Sequence, residues 1–199
     1  MATETEAAPT LVTPYRLDVS QYLKMIEAGV FADRSRVELL NGVLVRKMTK
    51  NTPHNFAMMQ LAESFRGVVP PAWFVNEEKS LVLARFWRPE PDIAVLRGPV
   101  TLYRGRDPHA ADVALVLEVS DSSYSKDRGM KWRGYAEAKI PIYWVVNLSQ
   151  SRVEVYTDPE GQGRSASYRQ CVTFGPDQSV PIVIEGVEVG QVLVRDLLA

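Results

Sequence analysis

Residues 113–119, Val-Ala-Leu-Val-Leu-Glu-Val, form an almost unbroken apolar run. Such a run is how a central strand buried on both faces reads. A helical stretch from Ser122 to Ala138 follows it, and then a second apolar run, Ile142 to Asn147. Strand, helix, strand in that order is a crossover between parallel strands, a unit that is right-handed in nearly all proteins. It commits the chain to an α/β fold, and the remaining segments have to be arranged around it.

Upstream, Asp18 and Gln21 have capping-box spacing, Tyr22, Leu23 and Ile26 share a helical face, and Gly29 is placed to end a short helix. Two apolar runs flank Asn41-Gly42, the strongest short hairpin signal. Thr52-Pro53 reads as an N-cap with a first-turn proline, and Met58, Leu61, Phe65 and Val68 follow at helical spacing. Residues 73–86 read as one or two strands, and Pro91 to Leu96 as a strand with proline at its first position. A Gly, Pro and Arg-rich loop covers 97–112, and short antiparallel additions run from Arg152 to Val194. The expectation is a loose tail over 1–13 and one domain over 14–199, a length that buries a substantial core.

The lone Cys171 excludes an intramolecular disulfide and a cysteine-based zinc cluster, and with only His54 and His109 a histidine-rich zinc site is excluded too. No apolar run is long enough to span a bilayer and the opening MATETEAAPT lacks signal-peptide order, so a cytoplasmic protein is expected. With 23 basic and 24 acidic residues, the net charge of −1 advertises no polyanionic partner. The basic residues are nevertheless clustered. Arg97, Arg104 and Arg106 fall in the 97–112 loop, and Lys126 and Arg128 fall at the start of the crossover helix. These five are the expected nucleic-acid contacts, with solvated charge as the alternative.

Glu118 carries the most chemical information, because it ends an apolar run where a carboxylate is costly to bury. Asp92 poses the same question at the start of the preceding strand. If the two strands pair antiparallel, the carboxylates converge. Together with a backbone carbonyl and water they make an oxygen-ligand site suited to Mg²⁺ or Mn²⁺. Capping of strand ends or pairing with arginines would also account for them. Lys131, about two turns into the crossover helix, can project back across the strand ends and stabilise charge on a phosphate. An exposed i, i+4 pair with Asp127 is its other reading.

The order Pro91-Asp92, Glu118-Val119-Ser120, Asp127-Arg128-Gly129-Met130-Lys131, Tyr135 and Ile142-Tyr143-Trp144-Val145-Val146 resembles the Uma-type restriction endonuclease family of the PD-(D/E)XK nuclease superfamily. The segments Val37 to Val45 and Pro53-His54-Asn55 extend the likeness to roughly residues 15–160. It implies a restriction-endonuclease-like mixed sheet flanked by helices. It also implies Mg²⁺, or Mn²⁺, held by Asp92, Glu118 and the Val119 carbonyl, with Lys131 assisting water attack on a phosphodiester. The superfamily lysine would stand at position 120, which is Ser120 here, and the Uma-type variant places it on the next helix, matching Lys131. Glu38 corresponds to the acidic residue of the family's first hairpin and is a further catalytic candidate, as is His54 at a helix N-terminus; a surface or capping role is open for each. The implied partner is nucleic acid, DNA first, with no membrane and with a homo-oligomer compatible. The competing class is a noncatalytic nucleic-acid-binding or assembly module on the same fold.

Overall fold

The computed structural model describes residues 13–31, 37–121 and 123–198. The expected tail, apart from Thr13, and the expected helix start at Ser122 lie outside the described residues. The first helix, α1 (Val19–Glu27), carries the capping box of Asp18 and Gln21. Of its expected apolar face only Tyr22 is buried, and Ile26 is exposed. Strands β1 (Val37–Leu40) and β2 (Val43–Arg46) form the expected hairpin. Asn41 and Gly42 both have positive φ at its turn, which is why that dipeptide stands there. Helix α2 (Thr52–Val68) begins one residue earlier than its proline suggests. Asn51 is the cap, and its side chain accepts the His54 N–H at 3.1 Å.

Six strands make the central sheet, in the order β3 (Trp73–Glu77), β4 (Ile93–Arg97), β5 (Val113–Ser120), β6 (Ile142–Asn147), β7 (Arg152–Glu160) and β8 (Ser167–Phe174). Only β5 and β6 are parallel. All of β5 is buried, as its composition requires. One sheet face packs on α2 and on a hairpin of β9 (Ser179–Ile184) and β10 (Val187–Leu193), with Leu61, Phe65, Leu115 and Trp144 at the centre. The other face holds Leu81, Val116, Tyr135, Tyr143 and Tyr156. Residues 78–90, where a second strand was open, run as loop with only isolated bridges.

The crossover is not the continuous helix that its periodicity suggests. One turn, α3 (Tyr124–Lys126), leads into a π-helical stretch, Asp127–Lys131, and then into α4 (Trp132–Glu137). A π-helical insertion shifts the phase of everything beyond it, and such insertions gather at functional sites. Helix α4 approaches the 78–90 segment closely. A Cβ on Gly134 would stand 2.6 Å from the Trp87 ring. Gly134→Ala is therefore expected to destabilise the fold by about 1–3 kcal/mol through overpacking, read as a lowered chemical-denaturation midpoint with unchanged slope. An unchanged midpoint would show that Trp87 can move aside freely.

Candidate active site

Asp92 and Glu118 come together for a reason visible in the ladder. The antiparallel register pairs Ile93 with Leu117, so the next step sets Asp92 opposite Glu118 at the end of β4. Both side chains lie on the α4 face, because Ala94 and Val116, two residues along each strand, pack there. Beyond that point β4 gives way to proline. The Val119 N–H, lacking a strand partner on this side, donates to Asp92 Oδ2 at 2.8 Å. The N–H and C=O of a strand residue point to the same side, so the Val119 carbonyl also faces Asp92. The residue that would answer it in register is Pro91, which has no N–H to donate.

The π-helical stretch delivers Lys131 to these carboxylates. Its Nζ donates to Glu118 Oε1 at 2.8 Å and stands 2.9 Å from Glu38 Oε1, with only 1% of the side chain exposed. It is not the exposed partner of Asp127. That residue is buried as well, and its Oδ2 accepts from Ser120 and Ser123 hydroxyls. Ser120, where the wider superfamily carries its lysine, thus anchors the start of the turn that presents Lys131. Glu38 Oε1 also accepts the Glu90 N–H at 3.0 Å, which ties the first hairpin to the site. Glu38 Oε2 and Asp127 Oδ1 are buried without a hydrogen-bond partner, although the Lys126 ammonium stands 3.8 Å from Glu38 Oε2.

Around Asp92 the partners are Lys50, donating to Oδ1 at 2.8 Å, and His54, whose Nε2 stands 3.3 Å from Oδ2. Burial pushes the Asp92 carboxyl up, but the His54 hydrogen bond and the Lys50 charge outweigh it and hold Asp92 well below the usual carboxylate range. Glu118 goes the other way, to about 8, because burial and the charges of Asp92, Asp127 and Glu38 outweigh Lys131. Burial also opposes the Lys131 ammonium, yet Glu118 and Glu38 more than compensate and raise its pKa above the ordinary lysine value. Lys131 is therefore a fixed cation and hydrogen-bond donor, not a base.

Asp92, Glu118, Val119, His54 and Lys131 line one cavity of about 50 Å³ with Lys47, Lys50 and Lys126, room for a few water-sized occupants. The donor chemistry fits a hard divalent ion: two carboxylates and one carbonyl free of a strand donor, oxygen throughout. Among the described residues no group of three or more His, Cys, Asp or Glu side chains is arranged as a metal cage. An ion with one or two carboxylates and the rest water, the habit of Mg²⁺, does not need one.

Of the expected nucleic-acid contacts, Lys126 lines this cavity, while Arg97, Arg104, Arg106 and Arg128 do not. Arg97 pairs with Glu185, Arg106 with Asp112, and Arg128 with Glu154 at 3.5 Å while lying over the Trp132 and Tyr156 rings. Sequence reasoning missed Lys50 and Lys47, and it named Tyr135 without giving it a role. The Tyr135 hydroxyl donates to Glu118 Oε1 at 2.7 Å.

A crystal structure described as that of a "putative nuclease belonging to DUF820" from Anabaena variabilis superposes with a TM-score of 0.65 at 15% identity, covering 91% of this chain and 97% of that one. The mixed α/β fold, built here on a six-stranded sheet, is thus shared with a solved protein. No curated protein matches the chain. No helix among the described residues is long and apolar enough to cross a membrane. The Uma2 family model, described as "Putative restriction endonuclease", matches residues 19–192, and the chain belongs to that family.

Proposed function

We propose that the protein is a metal-dependent nuclease that hydrolyses phosphodiester bonds of nucleic acid, DNA first. The observation that carries this reading is the meeting of Asp92 and Glu118, opposite each other at a strand end, with a Lys131 ammonium buried between Glu118 and Glu38. Family membership supports it independently. Asp92, Glu118 and the Val119 carbonyl would hold Mg²⁺ or Mn²⁺, whose charge when bound would neutralise the phosphate and favour attack on it. Hydrolysis forms one bond from a water oxygen to phosphorus and breaks one bond from phosphorus to an ester oxygen. Lys131 orients that water and offsets charge growing on the phosphate oxygens. Tyr135 and Lys131 share Glu118 Oε1, which fixes the carboxylate plane. Glu38 positions Lys131 from the far side, and His54 holds Asp92. The test is cleavage of a panel of single- and double-stranded DNA and RNA with and without metal.

One observation favours a noncatalytic binding or assembly module: Lys50, His54 and Lys131 already compensate Asp92 and Glu118 within the chain. Calorimetric titration separates the readings, since a binding module has no need of carboxylate-dependent Mg²⁺ uptake. Lys126 lines the cavity and Arg104 is exposed on its loop, and both would meet phosphates of a bound strand. Affinity for duplex DNA is therefore expected to fall with salt, the logarithmic slope being about −0.9 per phosphate neutralised. A flat response between low and physiological salt would remove phosphate recognition from the account.

A further inference from the structure

We propose that a second, larger cavity, on the α1 side of β3 and β4, is a nucleobase pocket. The cavity measures about 750 Å³, within the range of pockets that enclose small organic ligands. It is separate from the carboxylate cavity but adjoins it. Glu90, which lines the larger cavity, gives its backbone N–H to Glu38 Oε1, the oxygen that also meets Lys131. Glu78, on the same wall, pairs with the Lys50 that holds Asp92.

The lining suits a flat, hydrogen-bonding ligand. Half-buried aromatic rings face the cavity from different elements: Phe31 beyond α1, Phe74 on β3 and Tyr103 in the loop after β4, the last two with centroids 5.8 Å apart. Two guanidiniums stand at the walls, Arg88 over the Tyr22 ring and Arg106 over Tyr103. Each is already matched by a carboxylate, Arg88 by Asp107 at 3.0 Å and Arg106 by Asp112 at 2.6 Å. The cavity therefore presents polarised faces for stacking, and the exposed Lys79 ammonium stands at its edge. Its floor is polar. The Asn76 Nδ2 is buried and has no hydrogen-bond partner, so turning that amide toward a ligand breaks no hydrogen bond and satisfies a donor that is costly to leave unpaired. A base with ring-nitrogen and carbonyl acceptors meets both demands, whereas an aliphatic chain leaves Asn76 unpaired and a simple anion leaves the aromatic faces unused.

The choice of a nucleobase rests on the nuclease reading, in which a strand whose phosphate lies at Asp92 and Glu118 offers an unstacked base next door. Stacking on aromatic side chains tolerates any base, so Asn76 would set the preference among them. The test does not depend on turnover. The four ribonucleoside 5′-monophosphates are titrated into the full chain to about 10 mM, above the about 1 mM dissociation constants of weak fragments, with residue-resolved NMR as the readout. Saturable shifts at Phe74, Asn76 and Tyr103 are expected, with affinity at least about 10-fold lower in Asn76→Leu and Tyr103→Ala, the size of one lost stacking or hydrogen-bonding contact. Glu118→Gln should leave the affinity unchanged. Asn76→Leu removes an unpartnered donor and should melt no lower than the parent, so loss of binding in it is not loss of fold. No shifts, shifts elsewhere, or full binding in both pocket variants would overturn the proposal. So would equal loss in Glu118→Gln, which would place the base at the carboxylate site. Binding without any metal-dependent cleavage would sink the nuclease reading and leave the pocket standing.

Discussion

Replacing Lys131 by methionine is expected to lower the cleavage rate by about 10²-fold to 10³-fold, the usual cost of deleting one donor aimed at developing transition-state charge. It should also destabilise the fold by about 3–5 kcal/mol, because removing one partner of a buried ion pair leaves the others uncompensated. Both effects follow from one position. The side chain is 1% exposed, and its ammonium is the shared partner of Glu118 and Glu38. Methionine keeps the length and most of the volume, so the loss is of charge rather than packing. Rates compared at a temperature where both proteins are folded separate the two effects. Lys126→Met is the control: its ammonium is 3.8 Å from Glu38 and its side chain is 21% exposed, so both losses should be much smaller. Comparable rate losses in the two variants would reduce Lys131 to general electrostatics.

Asp92→Asn is expected to abolish detectable Mg²⁺ uptake and metal-dependent cleavage together, because half of the proposed carboxylate pair becomes neutral. The amide preserves shape but can accept only at one atom, whereas Asp92 now serves Lys50, His54 and the Val119 N–H on two oxygens. Lys50 keeps Glu78 as a partner. The Val119 N–H and His54 both meet Oδ2, so an amide oxygen at that position serves both, and the contact given up is the one from Lys50 at Oδ1. Uptake of Mg²⁺ that persists in this variant, read by calorimetry, would move the ion away from Asp92.

The parts of this arrangement legible in the sequence are those that follow from burial and pairing. Apolar runs located β5 and β6, and Asn41-Gly42 located the first hairpin. The cost of burying Glu118 and Asp92 at the ends of apolar strands singled out two side chains that the register sets opposite each other. Lys131 was legible as one of two readings, between which the family likeness chose, and its surroundings were not legible at all. Helical periodicity assumes a constant phase, and the π-helical stretch at Asp127–Lys131 breaks it. In a regular helix Asp127 and Lys131 would face each other across one turn. Here Asp127 turns to Ser120 and Ser123 while Lys131 turns to Glu118. Lys50 and Tyr135 escaped for a related reason. Their partners, Asp92 and Glu118, are 42 and 17 residues away, and nothing local marks which lysine or tyrosine a buried carboxylate will recruit.

Metal-dependent cleavage, compared between the unaltered protein and Glu118→Gln over the panel of DNA and RNA substrates, tests the account most directly. Turnover that requires Mg²⁺ or Mn²⁺ and falls to background in Glu118→Gln is the predicted result. Cleavage that persists in Glu118→Gln, or that proceeds equally in excess chelator, would contradict a metal-dependent nuclease built on Asp92, Glu118 and Lys131.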